Sequence, residues 1–337
     1  MKHHLVLGGL GFIGRHTALA LALSGGRVTV VDRMSPPPEF DELPMKFQQG
    51  EIESIEWDAI LHDVDVIHHY AWSTIPQTAN ENPIGDLDQN VRSTIRLLEA
   101  LRRIPGKRLV FASSGGTVYG RLKQTPVSET HNFAPVTAYG VSKAAVEMYL
   151  GYYRDCYGLD CRVARISNPF GAGQDPKRPQ GAASAFLFKA MAGEEISIWG
   201  DGSVVRDYIH IADLAEGLVA LANAPVELCG DAPVFNIASG IGISLNGIIE
   251  TLTEHLGVKP KVSYQAGRAF DVPVSVLNIT RAKDRLGWEP KLSFSNGCER
   301  MIRDLHDGRH WMSALTPLSG MDGDQRRVAA VISDMTS

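Results

Sequence analysis

Long apolar runs are missing. No stretch of 18 consecutive apolar residues occurs among the 337, so nothing in the chain reads as a membrane-spanning helix. Cysteine is scarce as well. Cys156, Cys161, Cys229 and Cys298 make no CxxC pair and fall far short of a disulfide scaffold, so reduced thiols in a cytoplasmic protein are expected. A net charge of −5 offers no basic footprint for nucleic acid or for an anionic membrane surface. The opening MKHHLVLGG runs at once into an apolar strand and leaves no room for a signal peptide. Repeats and low-complexity blocks are also lacking. What remains is an ordinary globular composition, 44% hydrophobic and 21% charged, on a chain long enough for one large or two medium domains.

Strand-like and helix-like stretches alternate through the first half. HLVLGG, RVTVVD, VDVIHHYA, KRLVFASS and DCRVARISN read as strands, with helical stretches after the first, third and fourth. Such alternation predicts βαβ units and a parallel sheet, an α/β fold. After about residue 168 the pattern breaks at the Gly- and Pro-rich NPFGAGQDPKRPQG, and PVFNIAS reads as one more strand of the sheet. From about Leu318 periodicity is lost, as in a loose tail.

GGLGFIG sets Gly8, Gly11 and Gly14 three residues apart between the first strand and the first helix. A tight turn, a close approach to a pyrophosphate and close helix–strand packing all require glycine here. The helix N-terminus then offers its N–H groups to phosphates. Asp32 ends the second strand, 18 residues past Gly14, where a carboxylate accepts from the ribose hydroxyls of an adenine dinucleotide and repels a 2′-phosphate. With Arg33 beside it as the one feature favouring a 2′-phosphate, NAD is the expected cofactor of a Rossmann-type, doubly wound sheet.

TAYGVSK places Tyr139 and Lys143 on one face of a helix at i, i+4 spacing. A free tyrosine, with a pKa of about 10, is too weakly acidic to serve as a base at neutral pH. A neighbouring ammonium and an oxidised, positively charged cofactor both favour the phenolate.

With these motifs the chain, over roughly residues 3 to 310, resembles the extended short-chain dehydrogenase/reductase superfamily, in its nucleotide-sugar epimerase/dehydratase branch. The resemblance implies an NAD-binding Rossmann domain over residues 1–167, to which 207–238 return. It implies a smaller interleaved α/β domain for a nucleotide-sugar over 168–206 and 239–312. On the cofactor side it assigns Phe12 and Ile13 at the helix start, Glu51 and Ile52 beside the adenine, Tyr70, Ala71 and Trp72 after the fourth strand, Asn90 on the next helix, and Ser113. Tyr139 and Lys143 stand at the catalytic junction. A homodimer through the helices near Asn90–Leu101 and Tyr139–Tyr153 is implied as well.

SSGGTVYG, residues 113–120, departs from the branch's pattern. The Ser or Thr that would hydrogen-bond the reacting sugar hydroxyl falls on Gly115. Two hydroxyls could substitute. Thr117 is the first choice, because strand alternation would point it the same way; Ser114 is the second. The branch's 4,6-dehydratases carry an Asp-Glu pair where this chain has Gly116 and Thr117, so elimination lacks its proton donor and acceptor. The remaining chemistry is reversible oxidation at C4, turning of the keto-sugar and re-reduction on the other face: a 4-epimerase of UDP-glucose/galactose or a UDP-N-acetylhexosamine. A reductase or decarboxylase of the same branch, and a non-catalytic NAD- and nucleotide-binding protein, are the alternatives.

On the substrate side the resemblance assigns Asn168 and Gln180 to the phosphate or sugar, Arg206 and Arg268 to phosphate oxygens, Asp271 to the ribose and Trp199 to the nucleobase. Ser275, where some epimerases carry a bulky tyrosine, leaves room for an N-acetyl group. His68 and His69 are adjacent on a strand and face opposite ways, so no metal is expected.

Overall fold

The computed structural model describes residues 1–38, 40, 43–122, 124–175, 181–267 and 272–306. Six strands come in order: β1 (His3–Leu7), β2 (Arg27–Asp32), β3 (Met45–Gln49), β4 (Val66–His69), β5 (Arg108–Ser114) and β6 (Asp160–Ile166). Seven follow: β7 (Asn168–Phe170), β8 (Ile196–Trp199), β9 (Val205–His210), β10 (Val234–Ile237), β11 (Gly242–Ser244), β12 (Val262–Gln265) and β13 (Val274–Ser275). The main sheet has seven parallel strands in the order β10-β6-β5-β4-β1-β2-β3. Helices cover both faces, which is why its central strands are continuous apolar runs. Leu5, Leu7, Ile67, Leu109 and Phe111 pack with Leu97, Leu101, Val146 and Leu150 on one side. Their alternating neighbours Val6, Val28 and Val30 meet Leu19 on the other, while Val66 and Val110 meet Leu218 and Leu221.

The chain leaves β1 toward β2 and β3, then returns to lay β4, β5 and β6 on the opposite side. Strand order therefore reverses at β1, and a crevice opens beyond the carboxyl ends of β1 and β4, where such sheets bind ligands. Strand β3, an edge strand with two of its five residues partly shielded and none buried, has none of the apolar signature of the others.

Beyond β6 the chain builds two smaller sheets. Strands β7, β9, β11 and β13 form one, with β9 central to the other three, and β8 pairs with β12 in the second. Asp207 at the centre of β9 binds this part to the loop after β10: its carboxylate accepts from Ser239 N, Ser239 Oγ and Gly240 N at 2.7–3.0 Å. The expected strand alternation out to Thr117 is not met. β5 ends at Ser114, whose carbonyl accepts from both Thr117 N and Val118 N at 3.1 and 3.0 Å, and residues 115–117 fold into a turn.

Candidate functional site

A cleft of about 580 Å³ occupies the crevice at the switch point. Gly8 turns the chain out of β1 with φ +75°, a conformation L side chains avoid. A Cβ on Gly14 would stand 2.2 Å from the Gly8 carbonyl oxygen, so only glycine lets the helix Phe12–Leu23 seat against the loop. No side chain caps that helix at Gly11, and its N-terminus faces the cleft. Asp32 at the end of β2 accepts from Leu10 N at 3.0 Å and Met34 N at 3.1 Å, which fixes the carboxylate at the cleft wall. Arg33, Glu51, Ile52, Tyr70, Ala71, Trp72 and Asn90 line the same space, as do Gly8, Gly11 and Phe12. The shape and the donor set fit an adenine dinucleotide: a glycine cradle that a Cβ would fill, an uncapped helix end and a strand-end carboxylate.

Gly14→Val is therefore expected to abolish or weaken NAD binding by about tenfold or more, equivalent to 1.4 kcal/mol or greater. Calorimetric titration measures this, with circular dichroism to establish the fold. Wild-type affinity in the variant would show that the helix can shift without losing the site.

Sequence reasoning missed Gln89 and Ser93, which also line the cleft. Ser93 stands three residues past the assigned Asn90 on one helical stretch, a spacing that could have flagged it. Asn90 is committed inside the wall: Oδ1 accepts from Ser73 N at 2.9 Å and Nδ2 donates to Asp86 Oδ1 at 2.9 Å.

Trp72 lines the cleft next to Tyr139 and Lys143. Its ring lies edge-on to Tyr139 with 5.9 Å between centroids, and the Lys143 ammonium stands 3.6 Å from its centroid. Lys143 is buried, donating to Ala112 O at 2.7 Å. Burial pushes its ammonium well below the usual lysine range, partly offset by the carboxylates of Asp86 and Glu147. Burial, then the charge of Asp86, pushes the Tyr139 phenol above its ordinary value. The helix carrying both, Ala138–Tyr157, starts at Thr137, whose Oγ1 accepts from Gly140 N at 3.1 Å. It approaches the turn after β5 closely, since a Cβ on Gly140 would lie 2.9 Å from the Thr117 carbonyl oxygen.

That turn answers part of the question raised by Gly115. A Cβ there would meet Leu277 Cδ1 at 2.4 Å, so the position is filled from the C-terminal half of the chain. Ser113 points the other way and donates to Glu147, which is paired with Arg165 at 2.8 Å. The Ser114 hydroxyl is half-buried and has no partner among the described residues. Thr117 Oγ1 lies 3.5 Å from the Ser114 carbonyl oxygen, at the outer limit of a hydrogen bond.

The small sheet gathers several of the other expected residues. Asn168 on β7 donates to Asp207 O at 2.8 Å. Arg206 on β9 donates to the carbonyls of Val205 and Val272 at 2.8 and 2.6 Å, and Ser275 stands beside it in register, buried. Trp199 ends β8 half-exposed. Gln180, Arg268 and Asp271 lie outside the described residues. His68 and His69 do diverge, His68 Nε2 standing 3.1 Å from His4 Nδ1 and His69 Nε2 2.8 Å from Thr94 Oγ1. Among the described residues no group of three His, Cys, Asp or Glu is placed to hold a metal.

The sequence pattern of the NAD dependent epimerase/dehydratase family matches residues 4–238, from the first strand of the seven to the last. A UDP-glucose 4-epimerase of Mycolicibacterium smegmatis is 30% identical over 307 residues, covering 88% of this chain and 96% of the relative. The structure of a UDP-glucose 4-epimerase from Thermotoga maritima, with UDP-glucose, is 32% identical with a TM-score of 0.84, covering 91% of this chain and 99% of that one. A UDP-N-acetylglucosamine 4-epimerase from Methanobrevibacter ruminantium, in complex with UDP-N-acetylmuramic acid, reaches 0.83 at 27% identity, over 91% and 99% of the two chains. With the match spanning the whole seven-stranded sheet, this chain belongs to the NAD dependent epimerase/dehydratase family.

Proposed function

We propose that the protein is an NAD-dependent 4-epimerase of a UDP-linked hexose or N-acetylhexosamine. The observation that carries this reading is the half-buried Tyr139 and buried Lys143, packed on Trp72 of the glycine-loop cleft, beside a turn, residues 115–117, that holds no carboxylate. The glycine loop and Asp32 would hold NAD, which would supply a reversible hydride acceptor for the sugar. Tyr139 takes the proton of the 4-hydroxyl and later gives it back, with Lys143 as the cation that favours its phenolate. Without a carboxylate to protonate a leaving hydroxyl, the turn favours return of the hydrogen over elimination. Proton NMR of the protein with UDP-glucose or UDP-N-acetylglucosamine tests the reading. Appearance of the C4-inverted sugar supports it; no conversion even with added NAD would sink it.

Ser114, with its unpartnered hydroxyl, is the better candidate to hold the 4-hydroxyl, ahead of Thr117. Ser114→Ala is expected to lower kcat by about 10²-fold, and Thr117→Val by no more than about threefold. The reverse ranking in steady-state kinetics would restore Thr117.

The seven-stranded sheet is assigned to NAD and the two small sheets to the nucleotide-sugar, with Asn168, Arg206 and Trp199 on the sugar-nucleotide side. Gln180, Arg268 and Asp271 are assigned to that side on the family resemblance alone. Ser275 is the small side chain that admits an N-acetyl group, and the same NMR experiment ranks the two sugars. Val141, Met148 and Tyr152 expose an apolar stripe on the helix Ala138–Tyr157, with Ile84 and Leu87 exposed on the preceding helices. This supports a homodimer. Four free cysteines favour a reducing, cytoplasmic setting.

A further inference from the structure

Asp86 carries a carboxylate that neither the sequence motifs nor the reaction above accounts for. It is 1% exposed, on the helical turn that follows Pro83. Its oxygens accept from Thr74 Oγ1, from Ser142 Oγ at 2.5 Å and from Asn90 Nδ2 at 2.9 Å. The three donors come from three elements. Thr74 lies in the segment after β4 that walls the cleft, Asn90 on the helical stretch Leu87–Arg92, and Ser142 on the helix of Tyr139 and Lys143. All three are neutral, and among the described residues no arginine or lysine reaches Asp86 at ion-pair distance.

Lys143 presents the complementary problem. It is 4% exposed, and among the described residues its ammonium touches a carbonyl and an indole ring but no carboxylate. Asp86 and Glu147 are the two carboxylates whose charge reaches it. Glu147 already has a partner in Arg165, whose Nε and Nη2 donate to its Oε2 at 3.0 and 2.8 Å. A buried charge is tolerated where a second charge or a full set of hydrogen bonds compensates it. Among the described residues Asp86 is a buried carboxylate with no cation at ion-pair distance and Lys143 a buried ammonium with no carboxylate at that distance, and Ser142, which donates to Asp86, directly precedes Lys143 on the helix. Tyr139, Ser142 and Lys143 stand at i, i+3 and i+4 on one helix face.

We propose that Asp86 is a positioning residue for the reactive pair. It supplies the buried counter-charge to Lys143, and through Ser142 and Thr74 it fixes the helix face of Tyr139 and Lys143 against the segment after β4 whose Tyr70–Ser73 wall the cleft. The proposal rests on reading Tyr139 and Lys143 as the reactive pair.

A thermal double-mutant cycle on the full chain tests it: Asp86→Asn, Lys143→Met and the double variant. Each single change leaves one charge buried alone, whereas the double removes both. The Tm loss of the double is expected to fall short of the summed single losses by about 2 °C or more. With saturating NAD, Asp86→Asn is expected to lower kcat by about tenfold or more while the sugar KM and the NAD affinity stay within about threefold. Ser142→Ala, which removes one hydrogen bond and no charge, should lower kcat with Tm near wild type; it carries the kinetic test if Asp86→Asn does not fold. Additive Tm losses overturn the proposal, as does an unchanged kcat in the variants that fold. The thermal cycle needs no substrate. A protein that converts no nucleotide-sugar therefore counts against the epimerase reading, and additive losses in an active enzyme count against Asp86 alone.

Discussion

Tyr139→Phe is expected to lower kcat by about 10³-fold, within the range a positioned acid–base group contributes, while the fold and NAD binding survive. The substitution removes one hydroxyl and keeps the ring, so the edge-on packing against Trp72 is preserved. The Tyr139 hydroxyl has no hydrogen-bond partner among the described residues, so its loss strands no donor or acceptor. Chemically the change is total. Burial and the nearby Asp86 both favour the protonated phenol, leaving Lys143 as the cation the chain itself supplies toward the phenolate. The hydroxyl is thus poised to exchange a proton only where that cation acts on it. Turnover should be measured beside NAD content and Tm in one preparation. A variant that keeps more than about a tenth of wild-type turnover would assign the proton transfer to another group. Loss of NAD or of the fold would point to a structural role for the hydroxyl.

Much of this site could be read in the sequence, for a physical reason. The glycine loop is legible because its geometry forbids side chains: at Gly14 a Cβ collides with the Gly8 carbonyl whatever the rest of the fold does. The central strands are legible because burial on both faces demands unbroken apolar runs. Tyr139 and Lys143 are legible because helix spacing alone puts them together. What escaped depends on contacts distant in sequence. Strand β3 hides because an edge strand need not be apolar. Thr117 was favoured over Ser114 by extending a two-residue period past the point where the chain turns, and nothing local marks that point. Gly115 looked like a missing hydroxyl, yet its space is taken by Leu277, 162 positions on. Nothing in the sequence around Asp86 marks it for burial. Its burial arises only when Thr74, Asn90 and Ser142 close around it.

Acid is expected to unfold this protein steeply, beginning well above the usual carboxylate range. Of the buried histidines, burial holds four in the neutral form. Burial lowers His4 to about 4, His69 and His210 to about 3, and His68 well below its ordinary value. His4 and His68 face each other at 3.1 Å across β1 and β4, and His68 Nδ1 lies 2.9 Å from the Tyr70 hydroxyl, so a proton added there disrupts a chain that reaches the cofactor cleft. In the unfolded chain all four titrate near 6.5. Below that pH the unfolded state binds protons that the folded state refuses. Stability is therefore fully present above about pH 6.5 and is lost as pH falls toward the folded values. Each histidine contributes about 1.4 kcal/mol per pH unit over its window, and four together contribute roughly 5 kcal/mol per unit. Asp207 and Asp213, which burial raises above the ordinary aspartate value, work in the opposite sense, because the folded state takes up their protons first. The net slope between pH 6 and pH 5 should still exceed two protons, or about 2.7 kcal/mol per pH unit. Urea unfolding at fixed ionic strength measures it, and His69→Gln should reduce the slope by about one proton. A wild-type slope below one proton would mean that these histidines take up protons in the folded state.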